Sequence, residues 1–213
     1  MLFSFYNKKV KNVAVLIYGR LNKCHTDIIN RIGKHKVDYF VSSDNSSTSD
    51  LNKCIQLYNP ISYINDSITY NYKFDKYPNK REETNLDTMT RHFINKQRVF
   101  QLLEEYVKKT GTHYDVVLSI RSDLKINSNF NFNINSNTIY IPRGNDFINQ
   151  AINDQIAYGS FDVMKIYMNV INNCDDILKK KKSIPHPESL TFANLKKHDI
   201  KIARFGLDYY IYK

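Results

Sequence analysis

The chain has 213 residues, and its 31 lysine and arginine residues outnumber 21 aspartate and glutamate residues, which gives a formal charge of +10 at pH 7. This length is typical of a single domain, and we expect one over residues 1–213. Three separated cysteines without a CxxC pair argue against a disulfide framework and a structural zinc site. Every apolar run is shorter than the roughly 18 residues of a membrane-spanning helix, and the N-terminal one is too short for a signal peptide, so we expect no transmembrane segment and a cytoplasmic location.

The excess of positive charge predicts a polyanionic partner, such as a nucleic acid, a membrane surface or a small molecule that carries phosphates. The only dense basic run, residues 179–182, follows a predicted helix, where lysines oppose the helix dipole and face water. This distribution argues against a nucleic-acid-binding arm. We therefore expect no nucleic-acid partner.

The first predicted elements form a βαβ unit. Residues 13–18 are a continuous apolar run that ends at Gly19, which is typical of a parallel strand buried on both faces. A short helix, a second strand and two alternative positions for a third strand are predicted over residues 26–32, 37–43, and 54–57 or 61–64.

A long loop and a long helix are predicted next. Residues 66–84 show no sustained helical or strand period, and long loops of this kind tend to be lids or binding segments. Asp87 can cap a helix that runs to about residue 109, with Gly111 at its end. This helix leads into an apolar strand over residues 115–120 that ends in charged residues.

The second half of the chain continues the alternation of strands and helices. The predicted elements are strands over residues 138–142 and 154–160, helices over 161–173 and 187–198, and a closing strand over 200–205. The sequence therefore predicts an α/β fold with a central, mostly parallel sheet flanked by helices.

Asp123 is the central candidate for a functional residue. It follows an apolar strand, where an unpaired carboxylate is costly unless it reaches solvent, a cation or hydrogen-bond donors. One interpretation is that Asp123 binds Mg²⁺ or Mn²⁺, which prefer oxygen ligands. The other is a surface carboxylate that pairs with Arg121 or begins a turn.

The residues after the first strand, Tyr18, Gly19 and Arg20, are expected at the same edge of the sheet as Asp123. Glycine lets a ligand approach the backbone, and arginine can bind phosphate with two hydrogen bonds. A simple turn with a solvated arginine fits the same residues. The absence of GxGxxG after Tyr18 and of GxxxxGK[ST] anywhere argues against NAD-dependent enzymes and P-loop NTPases.

Two further polar segments are candidate sites. Asp154, in the Asn-Asp-Gln segment 153–155, precedes a predicted strand and suits a general base or a hydroxyl-binding residue, although a polar loop explains it equally well. The His-Pro-Glu segment 186–188 matches the start of a helix better than a catalytic site.

The motifs at residues 18–20, 121–123, 153–155 and 186–188, in their order along the chain, resemble those of GT-A-type glycosyltransferases. The resemblance is in particular to the small enzymes encoded by large DNA viruses and bacterial surface-polysaccharide loci. The resemblance covers about residues 13–205 and rests on short motifs. It implies a Rossmann-like GT-A fold, with a nucleotide-sugar-binding half over about residues 1–125 and an acceptor-side half over about 126–213. The residues that it assigns to the nucleotide sugar are Tyr18, Gly19, Arg20, Ser43 and Arg121.

The resemblance also implies a metal. Asp123 matches the last residue of the Asp-x-Asp motif that holds Mn²⁺ or Mg²⁺ on the diphosphate in this family. Arg121 stands where the motif has its first Asp, and this departure leaves open whether Arg121 itself neutralises the phosphates.

The function expected from the resemblance is transfer of a sugar from a nucleoside-diphosphate sugar, with UDP-sugars favoured, to a hydroxyl of a glycan or glycoprotein. Asp123 and Asp154 are the expected catalytic residues, with Asp154 as the base for the acceptor and Ser160 near the acceptor pocket. The alternatives are a non-catalytic module that binds nucleotide or glycan and a basic nucleic-acid-binding protein. A Rossmann-like methyltransferase is disfavoured because no glycine-rich turn follows the first strand.

Overall fold

A computed structural model describes residues 10–21, 24, 27–72, 74–77, 85–146, 151–180 and 183–212. The strands in these ranges are β1 (Asn12–Tyr18), β2 (Lys36–Ser43), β3 (Ser62–Asn65), β4 (Val116–Arg121), β5 (Leu124–Ile126), β6 (Thr138–Pro142), β7 (Ile156–Gly159), β8 (Lys201–Phe205) and β9 (Tyr209–Ile211). The helices are α1 (Asp27–Ile32), α2 (Thr48–Tyr58), α3 (Leu86–Thr110), α4 (Phe161–Met168), α5 (Cys174–Lys179) and α6 (Pro187–Lys197), with a 3₁₀ helix over Val170–Asn173.

A seven-stranded sheet with the order β3-β2-β1-β4-β7-β6-β8 forms the centre of the fold. β7 runs antiparallel to its two neighbours, and the remaining pairs are parallel. The predicted α/β fold with a mostly parallel sheet is therefore confirmed. The chain moves outward from β1 to β2 and β3 and then returns to the other side of β1 with β4. This reversal places a topological switch point between β1 and β4, where open α/β sheets bind ligands outside the carboxyl ends of the strands.

β1 is buried on both faces, as its unbroken apolar run predicts. All residues from Val13 to Tyr18 have no exposed surface. Val13, Val15 and Ile17 face a cluster that includes residues of α1, α2 and β5. The alternate residues face a second cluster that includes residues of α3, α4 and α6. Helices thus cover both faces of the sheet and leave the ends of its strands as the place for a site.

α3 brings its first turns to the edge of the sheet where β1 and β4 end. The Asn85 side chain accepts a hydrogen bond from the Thr88 amide over 2.9 Å, and Gly111, with φ of +71°, ends the helix. The prediction of this helix is confirmed, with its C-terminal end one residue later than predicted, but its cap is Asn85, two residues before the predicted cap Asp87, which lies in the first turn. Since α3 leads directly into β4, its C-terminus lies where β4 begins and its N-terminus lies near the opposite edge.

Other predicted elements differ in detail from the observed ones. The third strand is β3, and the alternative position over residues 54–57 lies inside α2. The described part of the predicted loop, residues 66–72 and 74–77, contains neither helix nor strand, although Phe74 is buried. Residue 26, residues 78–84 and residues 181–182 lie outside the described ranges. Within those ranges, none of the helices combines the length and apolar character needed to cross a lipid bilayer.

Candidate functional site

The turns after β1 and β4 meet at the carboxyl edge of the parallel strands. Tyr18 and Arg121, the last residues of the two strands, are partners in the register. The Ser122 amide donates to the Tyr18 carbonyl over 2.9 Å, and the Ser122 hydroxyl donates to the Arg20 carbonyl over 2.6 Å. The structure thus brings together the two turns that the sequence assigns to one ligand.

Gly19 has a backbone conformation at the tip of β1 that other residues rarely adopt. Its φ is +114°, and a Cβ atom added there would lie 3.0 Å from Ser122 Oγ. We expect Gly19→Ala to lower the free energy of unfolding by about 1–3 kcal/mol because of this strain, as measured by urea denaturation. Gly206→Ala is the matched control, since a Cβ atom there meets no described atom within 4 Å. Equal stability of the two variants would contradict the conformation of Gly19.

A cleft of about 540 Å³ opens at these turns. α3 contributes Asp87, Arg91 and His92 to its wall, and Tyr212, which follows β9, also lines it. A second cavity of about 420 Å³ shares Arg20, Asp44 and Arg91 with the cleft and is otherwise lined by polar residues. Volumes in this range are typical of small-molecule sites.

Two arginines in the cleft are held by carboxylates. The Arg121 guanidinium donates to both carboxylate oxygens of Asp123, from Nε over 2.8 Å and from Nη2 over 2.5 Å. Arg91 donates to Asp87 Oδ2 over 2.8 Å and to Asp44 Oδ2 over 2.9 Å. Bidentate pairs of this kind fix the direction of the guanidinium group. The cleft therefore presents arginine side chains whose positions are set before any ligand binds.

The same contacts bear on the expected metal at Asp123. Both oxygens of Asp123 face Arg121, and one oxygen each of Asp44 and Asp87 faces Arg91. A divalent cation at Asp123 would have to displace the Arg121 guanidinium from both carboxylate oxygens, and the charge of that group would repel the cation. Among the described residues, no group of three or more His, Cys, Asp or Glu side chains could hold a metal ion. The contacts of Asp123 with Arg121, as arranged, do not fit a divalent cation, and the metal role of Asp123 stays a prediction.

A buried charge cluster of His92, Lys96, Asp154 and two tyrosines lies beneath the cleft. Asp154 Oδ2 lies 2.9 Å from His92 Nε2. The Asp154 carbonyl accepts hydrogen bonds from the hydroxyls of Tyr18 over 2.9 Å and Tyr167 over 2.8 Å. Lys96 is fully buried, and its Nζ lies 3.6 Å from the centre of the Tyr167 ring. Asp154, which the sequence placed at the acceptor, is thus 4% exposed and faces His92.

Burial and charge set the protonation of this cluster. Burial raises the pKa of the Asp154 carboxyl, but His92, Lys96 and Arg121 outweigh it and hold that pKa well below its usual value. Burial lowers the pKa of Lys96 to about 8, against the attraction of Asp154. Burial also lowers the pKa of His92, again against Asp154. At pH 7 the cluster therefore contains an ionised Asp154, a charged Lys96 and a neutral His92.

The remaining residues predicted for the site lie in different places. Ser43 is fully buried at the end of β2, where its hydroxyl contacts the Ser46 hydroxyl. Ser160, expected near the acceptor, follows β7 at the opposite edge of the sheet from the cleft, because β7 runs antiparallel and Gly159 pairs with Val117 near the start of β4. The same direction of β7 brings Asp154, which precedes the strand, to the cleft edge. Pro187 begins α6, as the helix-start interpretation of residues 186–188 predicts.

The contribution of α3 is the part of the site that sequence analysis missed. Arg91 and His92 line the cleft, and Lys96 lies one turn further on at a buried position. The available signal was a histidine and a lysine next to the apolar stripe of the best predicted helix. Side chains four residues apart share one helix face, so His92 and Lys96 were a pair that could have been proposed.

The comparisons with known proteins do not assign the chain to a family. Neither a scan against protein-family models nor a search of curated proteins finds a match. The function is therefore argued from the cleft and the buried charge cluster.

Proposed function

We propose that the chain is a glycosyltransferase of the GT-A type that moves a sugar from a nucleoside-diphosphate sugar to a hydroxyl of a glycan or glycoprotein. The observation that carries this proposal is the cleft at the switch point between β1 and β4, which is lined by the Gly19 backbone and by Arg20, Arg91 and Arg121. Ligands of open α/β sheets, nucleotides among them, bind at this position.

The arginines suit the diphosphate of such a donor. Arg20 is exposed, and no ion pair with it occurs in the described part of the chain. Arg121 is oriented by Asp123, which gives Asp123 a role in the site through its partner. Guanidinium groups bind phosphate oxygens with paired hydrogen bonds. Hydrogen-bond donors that are in place before the reaction also stabilise the negative charge that develops on a leaving diphosphate.

The second cavity suits the nucleoside of the donor. It shares Arg20 and Arg91 with the cleft, so a ligand whose phosphates lie between these arginines can extend into it. Its lining includes the carboxylates of Asp44 and Asp50, and carboxylates accept hydrogen bonds from ribose hydroxyls. The sugar and the acceptor would then occupy the cleft beyond Arg121, on the side of His92.

Donor binding is tested by thermal shift with a panel of UDP-, GDP- and CDP-sugars, each with and without Mn²⁺. We expect one class of donor to raise the melting temperature, because a ligand that binds only the folded state stabilises it. Arg20→Ala should lower the affinity for that sugar donor by about 10- to 100-fold, since a hydrogen bond to a charged group contributes about 1.5–3 kcal/mol. Dependence on Mn²⁺ would support the predicted metal at Asp123.

Lys109→Ala is the control for charge, because it removes one positive charge from an exposed residue at the far end of α3. Equal loss of affinity in both variants would indicate attraction by net charge rather than contact with Arg20. Release of nucleoside diphosphate in the presence of a glycan identifies transfer. Binding of a nucleotide sugar without hydrolysis or transfer would instead support the non-catalytic module.

A further inference from the structure

His92 connects the cleft with the buried charge cluster. Its side chain lines the cleft and is 16% exposed. The ring packs edge-on against Tyr18 and Phe93, at centroid distances of 5.4 Å and 5.6 Å. Its Nε2 lies 2.9 Å from Asp154 Oδ2, and the Asp154 side chain is only 6% exposed. The imidazole therefore packs against Tyr18 and Phe93 and has the Asp154 carboxylate within reach of Nε2.

A carboxylate at one ring nitrogen determines which tautomer a histidine adopts. His92 Nε2 lies 2.9 Å from Asp154 Oδ2, although the two atoms are not aligned for a hydrogen bond in this structure. The carboxylate favours a proton on Nε2, and in that tautomer Nδ1 keeps the lone pair that can accept another proton. The charged groups that act on the ring are Asp154 before β7, Lys96 one turn further along α3, and Arg121 at the end of β4. The two cations oppose protonation of His92, and Asp154 stabilises the imidazolium once it forms.

We propose that His92 is the catalytic base of the sugar transfer and that Asp154 is the residue that positions it. This inference rests on the proposed function. The acceptor hydroxyl oxygen forms a bond to the anomeric carbon of the donor sugar and releases its proton to His92 Nδ1. The bond between that carbon and the diphosphate oxygen breaks, and the diphosphate leaves with the electron pair. This single displacement inverts the configuration at the anomeric carbon.

Asp154 suits the positioning role better than the role of base that the sequence suggested. Its carboxylate is buried against His92, and its carbonyl is fixed by the hydroxyls of Tyr18 and Tyr167. His92, Lys96 and Arg121 keep the pKa of Asp154 low, and a carboxylate with a low pKa is a weak acceptor of protons. The same features suit a group that orients an imidazole and compensates its charge.

His92→Gln tests the proposal. We expect kcat to fall by about 10²- to 10⁴-fold, the usual contribution of a general base, while the KM for the donor and the donor-induced thermal shift stay unchanged. In the wild type, kcat should fall as pH decreases through the pKa of His92, which lies below its usual value, and should be level above it. The variant should lack this acidic limb. His113→Gln, an exposed histidine before β4 at the opposite edge of the sheet, is the matched control and should keep kcat and its pH profile.

A spectroscopic readout tests the pair without activity. In the wild type, ¹⁵N NMR of His92 should report the tautomer with the proton on Nε2, and Asp154→Asn should change the tautomer population. If Asp154→Asn does not fold, the His92→Gln measurement decides alone. Transfer with unchanged kcat in His92→Gln, or retention of configuration in the product, would overturn the assignment of His92 and leave the proposed function standing. A wild type that transfers no sugar from any donor would overturn both.

Discussion

Asp154→Ala is expected to lower the free energy of unfolding by about 1–3 kcal/mol, because it removes the carboxylate whose charge compensates the buried charge of Lys96. Lys96 has no exposed surface, and Asp154 opposes the loss of charge that burial imposes on it. Urea denaturation at pH 7, followed by circular dichroism, measures the change. Asp162→Ala removes a carboxylate from an exposed position in the first turn of α4 and should cost less than about 1 kcal/mol.

A double variant distinguishes the effect of the uncompensated Lys96 charge from a simple loss of packing at residue 154. Lys96→Met in the Asp154→Ala background removes the unpartnered charge while keeping an apolar chain of similar length. We expect the double variant to be more stable than Asp154→Ala, since it no longer buries an amine whose compensating carboxylate has been removed. A double variant no more stable than Asp154→Ala would show that the two side chains do not depend on each other.

Arg121→Met is expected to reduce kcat/KM for sugar transfer by about 10²- to 10³-fold. This is the usual effect of removing one preorganised hydrogen-bond donor from a site where negative charge develops. The loss should appear without a large change in stability, because the pair of Arg121 and Asp123 is partly exposed, at 25% and 29% of the two side chains. Steady-state kinetics with the donor identified by thermal shift provides the measurement.

Arg98→Met is the matched control for this variant. Arg98 also lies close to a carboxylate, that of Asp66, but it does not line the cleft. Both variants lose an arginine and its ion pair, and only one loses a side chain of the proposed diphosphate site. Similar kinetics of the two variants would remove Arg121 from the mechanism.

The parts of the fold that sequence analysis predicted correctly carry strong local signals. β1 is an apolar run from Val13 to Tyr18, β4 is apolar before Arg121 except for Ser119, and α3 has an apolar stripe and a glycine at its end. α2 was missed because the short apolar segment over residues 54–57 was interpreted as a possible strand. The sheet of β5 and β9 was missed because it pairs short segments from distant parts of the chain, for which the sequence has no local pattern.

The candidate site also has a part that the sequence predicts and a part that it does not. The turns after β1 and β4 could be predicted because a strand that is buried on both faces opens into a site at its carboxyl end. The pair of His92 and Asp154 could not, because it depends on β7 running against its neighbours. Had β7 been parallel, as a simple repeat of βα units would make it, Asp154 would lie at the far edge of the sheet.

β9 has a practical consequence for handling the protein. It pairs with β5, and the Tyr212 amide that follows it donates to the Asp123 carbonyl over 2.9 Å, beside the turn that holds Arg121. Tyr212 is also part of the cleft wall. Any polypeptide joined after this point emerges next to the cleft, so a C-terminal affinity tag or fluorescent fusion would compete with a large acceptor for the same space. Assays with oligosaccharide or glycoprotein acceptors should therefore use protein whose tag at this end has been removed by proteolysis.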